Sequence, residues 1–373
     1  MSRVVVSAAR FRSLLANRNI EISEAAERCQ TIADLEALAQ NDQELSFSDV
    51  EKLAALISRP WSYLLIDEPE AAPDFGQDNR TFENRRSSLS SDLRAELESA
   101  SRLLDDALEL FPRDVFEVPK AGPSTSAVTL ADRMRTFLGV SADSQLNAKD
   151  DFASLRLWVD ALHSRSVYVL QRGLADGSVR AFSMVRGDHA LITVSTKDTA
   201  YARAFSALHE YTHITLRSAG VCDLDDHSEV ERFCNQVAAA VLLPKSLIAH
   251  VLQDEPVFSG QASEDDDRLI RLSRQLRVSQ AALLIRLRDL ARIDQETFEE
   301  LEHRRTTRRG GKRGGGDYYR PAINRVSRKF AWNVISAWDG GDLDRQEVSD
   351  LLGIGEHTAA RFRSELLKGE ATA

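Results

Sequence analysis

Residues 207–213 read Ala-Leu-His-Glu-Tyr-Thr-His, an H-E-x-x-H motif. On a helix, positions four apart lie on one face, so His209 and His213 can aim ring nitrogens at one cation. Neutral imidazole is a preferred zinc ligand. Glu210 sits beside the first ligand, where it reaches a water molecule without binding the ion. The flanks (Ala204, Phe205, Ala207, Leu208, Ile214 and Leu216) are apolar, as a buried helix carrying a site requires. A catalytic zinc needs a third protein ligand and an open fourth position. The stretch Glu231-Arg232-Phe233-Cys234-Asn235 offers Glu231, with Glu229 and Asp226 as rivals. Asn235, one turn after Glu231, is placed to hydrogen-bond a ligand histidine. The competing readings are two surface histidines, or a closed structural site using His209, His213 and two cysteines.

These residues need a scaffold, and the pattern supplies one. Short β-rich runs at Val167–Leu170, Val179–Val185 and Ala190–Val194, separated by glycines, predict a three-stranded meander. One edge of it would be free to take up a peptide as an added strand. A helix from about Thr199 to Leu216 carries the motif. Another, from Ser228 to Leu243, carries Glu231 and is stopped by Pro244. Further helices are expected at 93–111, 130–138, 148–162, 245–253, 266–275, 279–303, 322–338 and 344–367, the last broken at Gly353-Ile354-Gly355. The first 70 residues read as four or five short helices, one N-capped by Ser23 and one starting near Ser46–Ser48, which suggests a helix-turn-helix bundle.

The succession of short sheet, FSALHEYTHITL and VERFCNQVAAAVLLP resembles the ImmA/IrrE family of zinc metallopeptidases. The N-terminal bundle resembles the XRE-type helix-turn-helix domain often fused ahead of such peptidases. The resemblance implies one zinc per chain held by His209, His213 and Glu231, since the family takes its third ligand from the first Glu of an E-x-x-[AC]-N helix. The Asn235 register and the Leu242-Leu243-Pro244 stop then favour Glu231 over its rivals. Glu210 would act as general acid/base, and His227, Tyr318 or Tyr319 would hold the oxyanion. By the same resemblance the substrate is a regulatory protein such as a repressor or antitoxin. Tyr211-Thr212 departs from the commoner small or leucine-like pair inside the motif.

The expected fold is therefore α+β and mostly helical. A bundle spans 1–70, a linker and helical arm 71–147, and the metallopeptidase domain 148–303. A basic Gly-rich loop spans 304–321 and a helical region 322–373. The composition fits: 373 residues, 43% hydrophobic and 28% charged, describe an ordinary globular chain. A net charge of −10 weighs against wholesale nucleic-acid binding. Acidic Asp34 and Glu36 in the would-be recognition helix weigh against DNA and favour a protein partner. The alternative is a DNA-binding transcriptional regulator with a structural or sensory zinc. Three cysteines, no leader-like N-terminus and no apolar run near the roughly 20 residues of a span point to a cytoplasmic protein without membrane insertion. No Walker loop, dinucleotide fingerprint or G-x-S-x-G elbow is present.

Overall fold

The computed structural model describes residues 3–18, 20–29, 32, 34–57, 61–69, 90–122, 124–174, 179–216, 221–223, 229–252, 257–258, 262–307 and 319–368. They divide into two compact units, Met1–Arg102 and Leu103–Ala373. The expected linker at 71–89 and the basic stretch at 308–318 lie outside the described residues.

In the first unit, helices α1 (Ala8–Arg18), α2 (Ile22–Arg28), α3 (Leu35–Gln40) and α4 (Phe47–Leu56) surround a core of Phe11, Leu14, Leu38, Val50 and Leu53. Ser46 caps α4 by accepting from the Asp49 amide. The cap position of α2 is Glu21, not Ser23, which lies inside the helix. The unit is not purely helical: β1 (Arg3–Val6) pairs antiparallel with β2 (Gln43–Ser46). The run Val4-Val5-Val6 is β-branched throughout, the composition that favours a strand.

The second unit is α+β and mostly helical. Its sheet contains β3 (Val167–Arg172), β4 (Val179–Arg186), β5 (His189–Ser195) and β6 (Val221–Asp223), in the order β3-β5-β4-β6. This corrects the expected meander. β5 lies between β3 and β4, parallel to β3 and antiparallel to β4. β3 to β5 are buried almost throughout, so both faces of the sheet are covered. Alternation sends Val167, Val169, Ala181, Ala190, Ile192 and Val194 into the main core, while Tyr168, Phe182 and Leu191 turn to the other face.

Helix α5 (Ser91–Leu110) precedes α6 (Ala127–Leu138), α7 (Ala142–Leu146) and α8 (Asp151–His163). Then follow α9 (Ala200–Leu216), α10 (Glu229–Leu242), α11 (Lys245–Leu252) and α12 (Ala262–Gln275). The helix expected over 279–303 is two, α13 (Gln280–Asp289) and α14 (Gln295–Thr307), with Ala291 in the left-handed region at the break (φ 52°). Arg304 and Arg305, read as the start of the basic loop, are on α14 and pair with Asp266, Glu300 and Glu302. The C-terminal helices are α15 (Tyr319–Arg325), α16 (Arg328–Gly340), α17 (Arg345–Leu352) and α18 (Ala359–Lys368). Gly353 ends α17 at φ 61°, a conformation glycine adopts without strain.

α15 and α16 pack on edge strand β3, where Arg172 Nε donates to the Arg325 carbonyl at 2.8 Å. Asp114, just after α5, ties α16 to the same strand. Its carboxylate accepts from Ser166 Oγ (2.7 Å), Tyr168 OH (2.6 Å) and Asn333 Nδ2 (3.0 Å), and Lys329 Nζ lies 2.8 Å away. Burial works to raise the Asp114 pKa, but these donors and the lysine charge outweigh it and hold it below the usual value.

No single described helix is long and apolar enough to cross a membrane. The bent pair α10 and α11 passes on length and composition, and most of its apolar residues are buried in the core of this unit.

Candidate metal centre

Helix α9 starts where Thr199 Oγ1 accepts from the Ala202 amide. It lies between α8, α10 and strands β4 and β5. From Ala207 to Thr215 every residue is buried. A helix buried on all sides must satisfy its polar side chains internally. Thr212 and Thr215 donate to the carbonyls one turn back, at 2.8 Å each, and Tyr211 OH reaches the Glu117 carbonyl at 2.8 Å. The unusual Tyr-Thr pair inside the motif thus fits an apolar setting.

Helix α10 brings Glu231 to the motif. Its far end is held by side chains from three elements. Arg135 Nη1 donates to the Val241 carbonyl (2.6 Å), Gln145 Nε2 to Leu242 (3.0 Å) and Arg286 Nε to Leu243 (2.8 Å). Two guanidiniums therefore meet the carbonyl-rich, partly negative terminus. Burial draws the Arg135 pKa down to about 10, which leaves it charged at neutral pH.

At the opposite end of α10, three side chains converge. His209 Nε2 lies 3.1 Å from Glu231 Oε2, His213 Nε2 lies 3.1 Å from Glu231 Oε1, and the two Nε2 atoms are 3.1 Å apart. All three side chains are largely buried. Zinc bonds of about 2.0–2.1 Å at tetrahedral angles place ligand atoms about 3.3 Å apart, so the two imidazoles and the carboxylate, each ring facing its own carboxylate oxygen, stand at nearly the spacing of ligands on one ion. The donor set, two imidazoles and one carboxylate, is that of an open catalytic site. The residues present fit the metal. Glu231 and His213 are electrostatically bound to one another. Burial opposes charge on both, yet the facing histidines hold the Glu231 carboxyl well below its usual range. Cys234, Glu231 and Glu210 push His213 above its own.

Glu210 is fully buried beside these three side chains. Its Oε2 accepts from Ser183 Oγ on β4 at 2.7 Å, while Oε1 has no partner among the described residues. His209 Nδ1 also lacks one among them.

Residues 163–288 match the family model of the IrrE N-terminal-like domain, a peptidase family. The central domain belongs to that family. No curated protein matches the chain. The matched IrrE N-terminal-like stretch runs from the end of α8 to α13 and so contains the sheet and both site helices. It makes this a metallopeptidase-type domain with a candidate site at His209, His213 and Glu231.

The other expected site residues stand as follows. Asn235 lies half-buried on α10, one turn beyond Glu231, and its neighbour Cys234 hydrogen-bonds His213, as Glu231 also does. Burial raises the Cys234 thiol above its usual pKa despite that bond. His227 and Tyr318 lie outside the described residues, and Tyr319 opens α15. Cys222 is in β6 opposite Ala181. Two residues escape the sequence reading. Cys234 lies on the helix of Glu231 with nothing in its spacing to mark it. Ser183 carried a faint signal, since it is the polar residue between Ala181 and Val185 on a strand face otherwise apolar.

Proposed function

We propose that this protein is a cytoplasmic zinc metalloendopeptidase that hydrolyses one peptide bond in a regulatory protein of repressor or antitoxin type. The observation that carries the reading is the convergence of His209, His213 and Glu231 beside a buried Glu210, one oxygen of which has no partner among the described residues. Zinc held by those three residues supplies Lewis acidity, enough to make water a source of hydroxide near neutral pH. Glu210 Oε1, buried and without a donor among the described residues, takes the proton of the attacking water and returns it to the leaving amine. The apolar surroundings of α9 keep bulk water from the carboxylate and strengthen its interaction with nearby charge. The oxyanion partner is proposed among His227, Tyr318 and Tyr319.

The N-terminal unit is proposed to engage protein. On α3, Asp34 spends its carboxylate capping the Ala37 amide, and Glu36 is exposed. Both repel a phosphate backbone.

Metal analysis of the purified chain is expected to return about one zinc, lost on Glu231→Ala. Glu210→Gln should keep the zinc and the fold while abolishing cleavage of a repressor- or antitoxin-like protein incubated with it. A gel shift that survives about 0.2 M salt, together with repression untouched by Glu210→Gln, would instead make the chain a DNA-binding regulator.

A further inference from the structure

We infer that Ser183 is a positioning residue for Glu210, fixing which carboxylate oxygen faces the reacting water. The inference rests on the peptidase reading above. Ser183 is fully buried on β4, opposite Ile192 of β5. Its hydroxyl donates to Glu210 Oε2 at 2.7 Å, a short bond to a carboxylate. A carboxylate's terminal torsion is broad and two-fold, so a glutamate held only through its backbone presents either oxygen over a wide arc. One fixed donor on Oε2 removes that freedom. It also meets part of the penalty of burying the charge, and leaves Oε1 as the oxygen without a donor among the described residues. The strand contributes the order and the helix the base. β4 and α9 pack directly on one another, so the bond is set by the core and not by a loop.

The test uses the full chain loaded with zinc and a short peptide hydroxamate, whose acidic proton must pass to Glu210 for tight binding. Calorimetric titration of Ser183→Ala is expected to show affinity weakened about 10-fold, with zinc affinity, read against a chelating dye, unchanged within about twofold. Ser183→Thr, which restores the hydroxyl, should recover most of the loss. In the Glu210→Gln background, Ser183→Ala should have no further effect. If Ser183→Ala does not fold, Ser183→Cys, with a weak donor of similar shape, should show the same weakening. Wild-type affinity in Ser183→Ala, or an equal loss persisting in the Glu210→Gln background, overturns the inference while leaving the peptidase reading intact. A wild-type chain that binds the hydroxamate equally with and without zinc overturns both.

Discussion

Glu210 and Asp114 are acids served by opposite faces of the same sheet, and they are treated in opposite ways. Asp114 receives a hydroxyl, a phenol, an amide and an ammonium, so each oxygen has at least two donors. Glu210 receives one hydroxyl on one oxygen and nothing from the described residues on the other. Burying a carboxylate oxygen without a donor is destabilising. Asp114 is saturated as a scaffold acid is expected to be, and the proposed function gives Glu210 the role of base. That difference separates them more sharply than burial or charge alone.

The comparison breaks most decisively at Glu210. Glu210→Gln is expected to lower turnover by about 10²–10⁴-fold, the range for loss of a general acid/base, with melting temperature unchanged or raised because a buried charge has been removed. Calorimetry alongside a cleavage assay reads both. A variant that loses stability in step with activity would make Glu210 structural and erase the contrast.

Asp114→Ala should do the reverse. It strands Lys329, Tyr168 and Ser166 together, and about 3 kcal/mol of unfolding free energy is expected to go, with zinc stoichiometry intact. The sign of the pH dependence follows from the lowered folded pKa. The stabilisation is fully present above the unfolded carboxyl value of about 3.9, and it fades as pH falls through the lower folded value. Urea titrations at pH 7 and near pH 3 should therefore show wild type and variant converging in acid. A constant gap would mean that Asp114 acts through packing alone.

Much of this was legible in the sequence, and the limits are physical. The site helix was expected from about Thr199 and runs Ala200–Leu216. The i, i+4 spacing and the apolar flanks are local properties, and a helix reads locally. Glu231 was open to two rivals until the register with Asn235 was applied, and the geometry brings Glu231 itself to the histidines. What stayed hidden is non-local. Nothing in 167–195 tells that β5 will insert beside β3, because strand order is set by what covers each face. The Asp114 cluster joins positions up to 219 residues apart. Ser183 is one serine in a buried strand until α9 is laid against it.

Metal addition extends the contrast beyond single side chains. Zinc at 100 times its dissociation constant should stabilise the second unit by about 2.7 kcal/mol. A chelator should remove that increment in wild type and in Asp114→Ala alike. Glu231→Ala should show no increment. If zinc also repaired Asp114→Ala by more than the wild-type increment, the two faces of the sheet would be coupled rather than independent.

The smallest effect, and the finest probe, concerns the clamp at the end of α10. Arg135 donates to the Val241 carbonyl and to Gln145 Oε1, which in turn orients Gln145 Nε2 onto the Leu242 and Leu276 carbonyls. Arg135→Met keeps most of the aliphatic volume and deletes the donors, and about 1–2 kcal/mol of stability is expected to go. This clamp grips the helix three turns from Glu231, so a rigid α10 should pass any displacement on to the third ligand. A zinc affinity weakened severalfold in Arg135→Met, with hydroxamate binding by the zinc-saturated variant unchanged, would mean that the clamp sets where Glu231 stands. Unaltered zinc affinity would mean that the histidines and the ion alone draw Glu231 into place and that the clamp serves stability only.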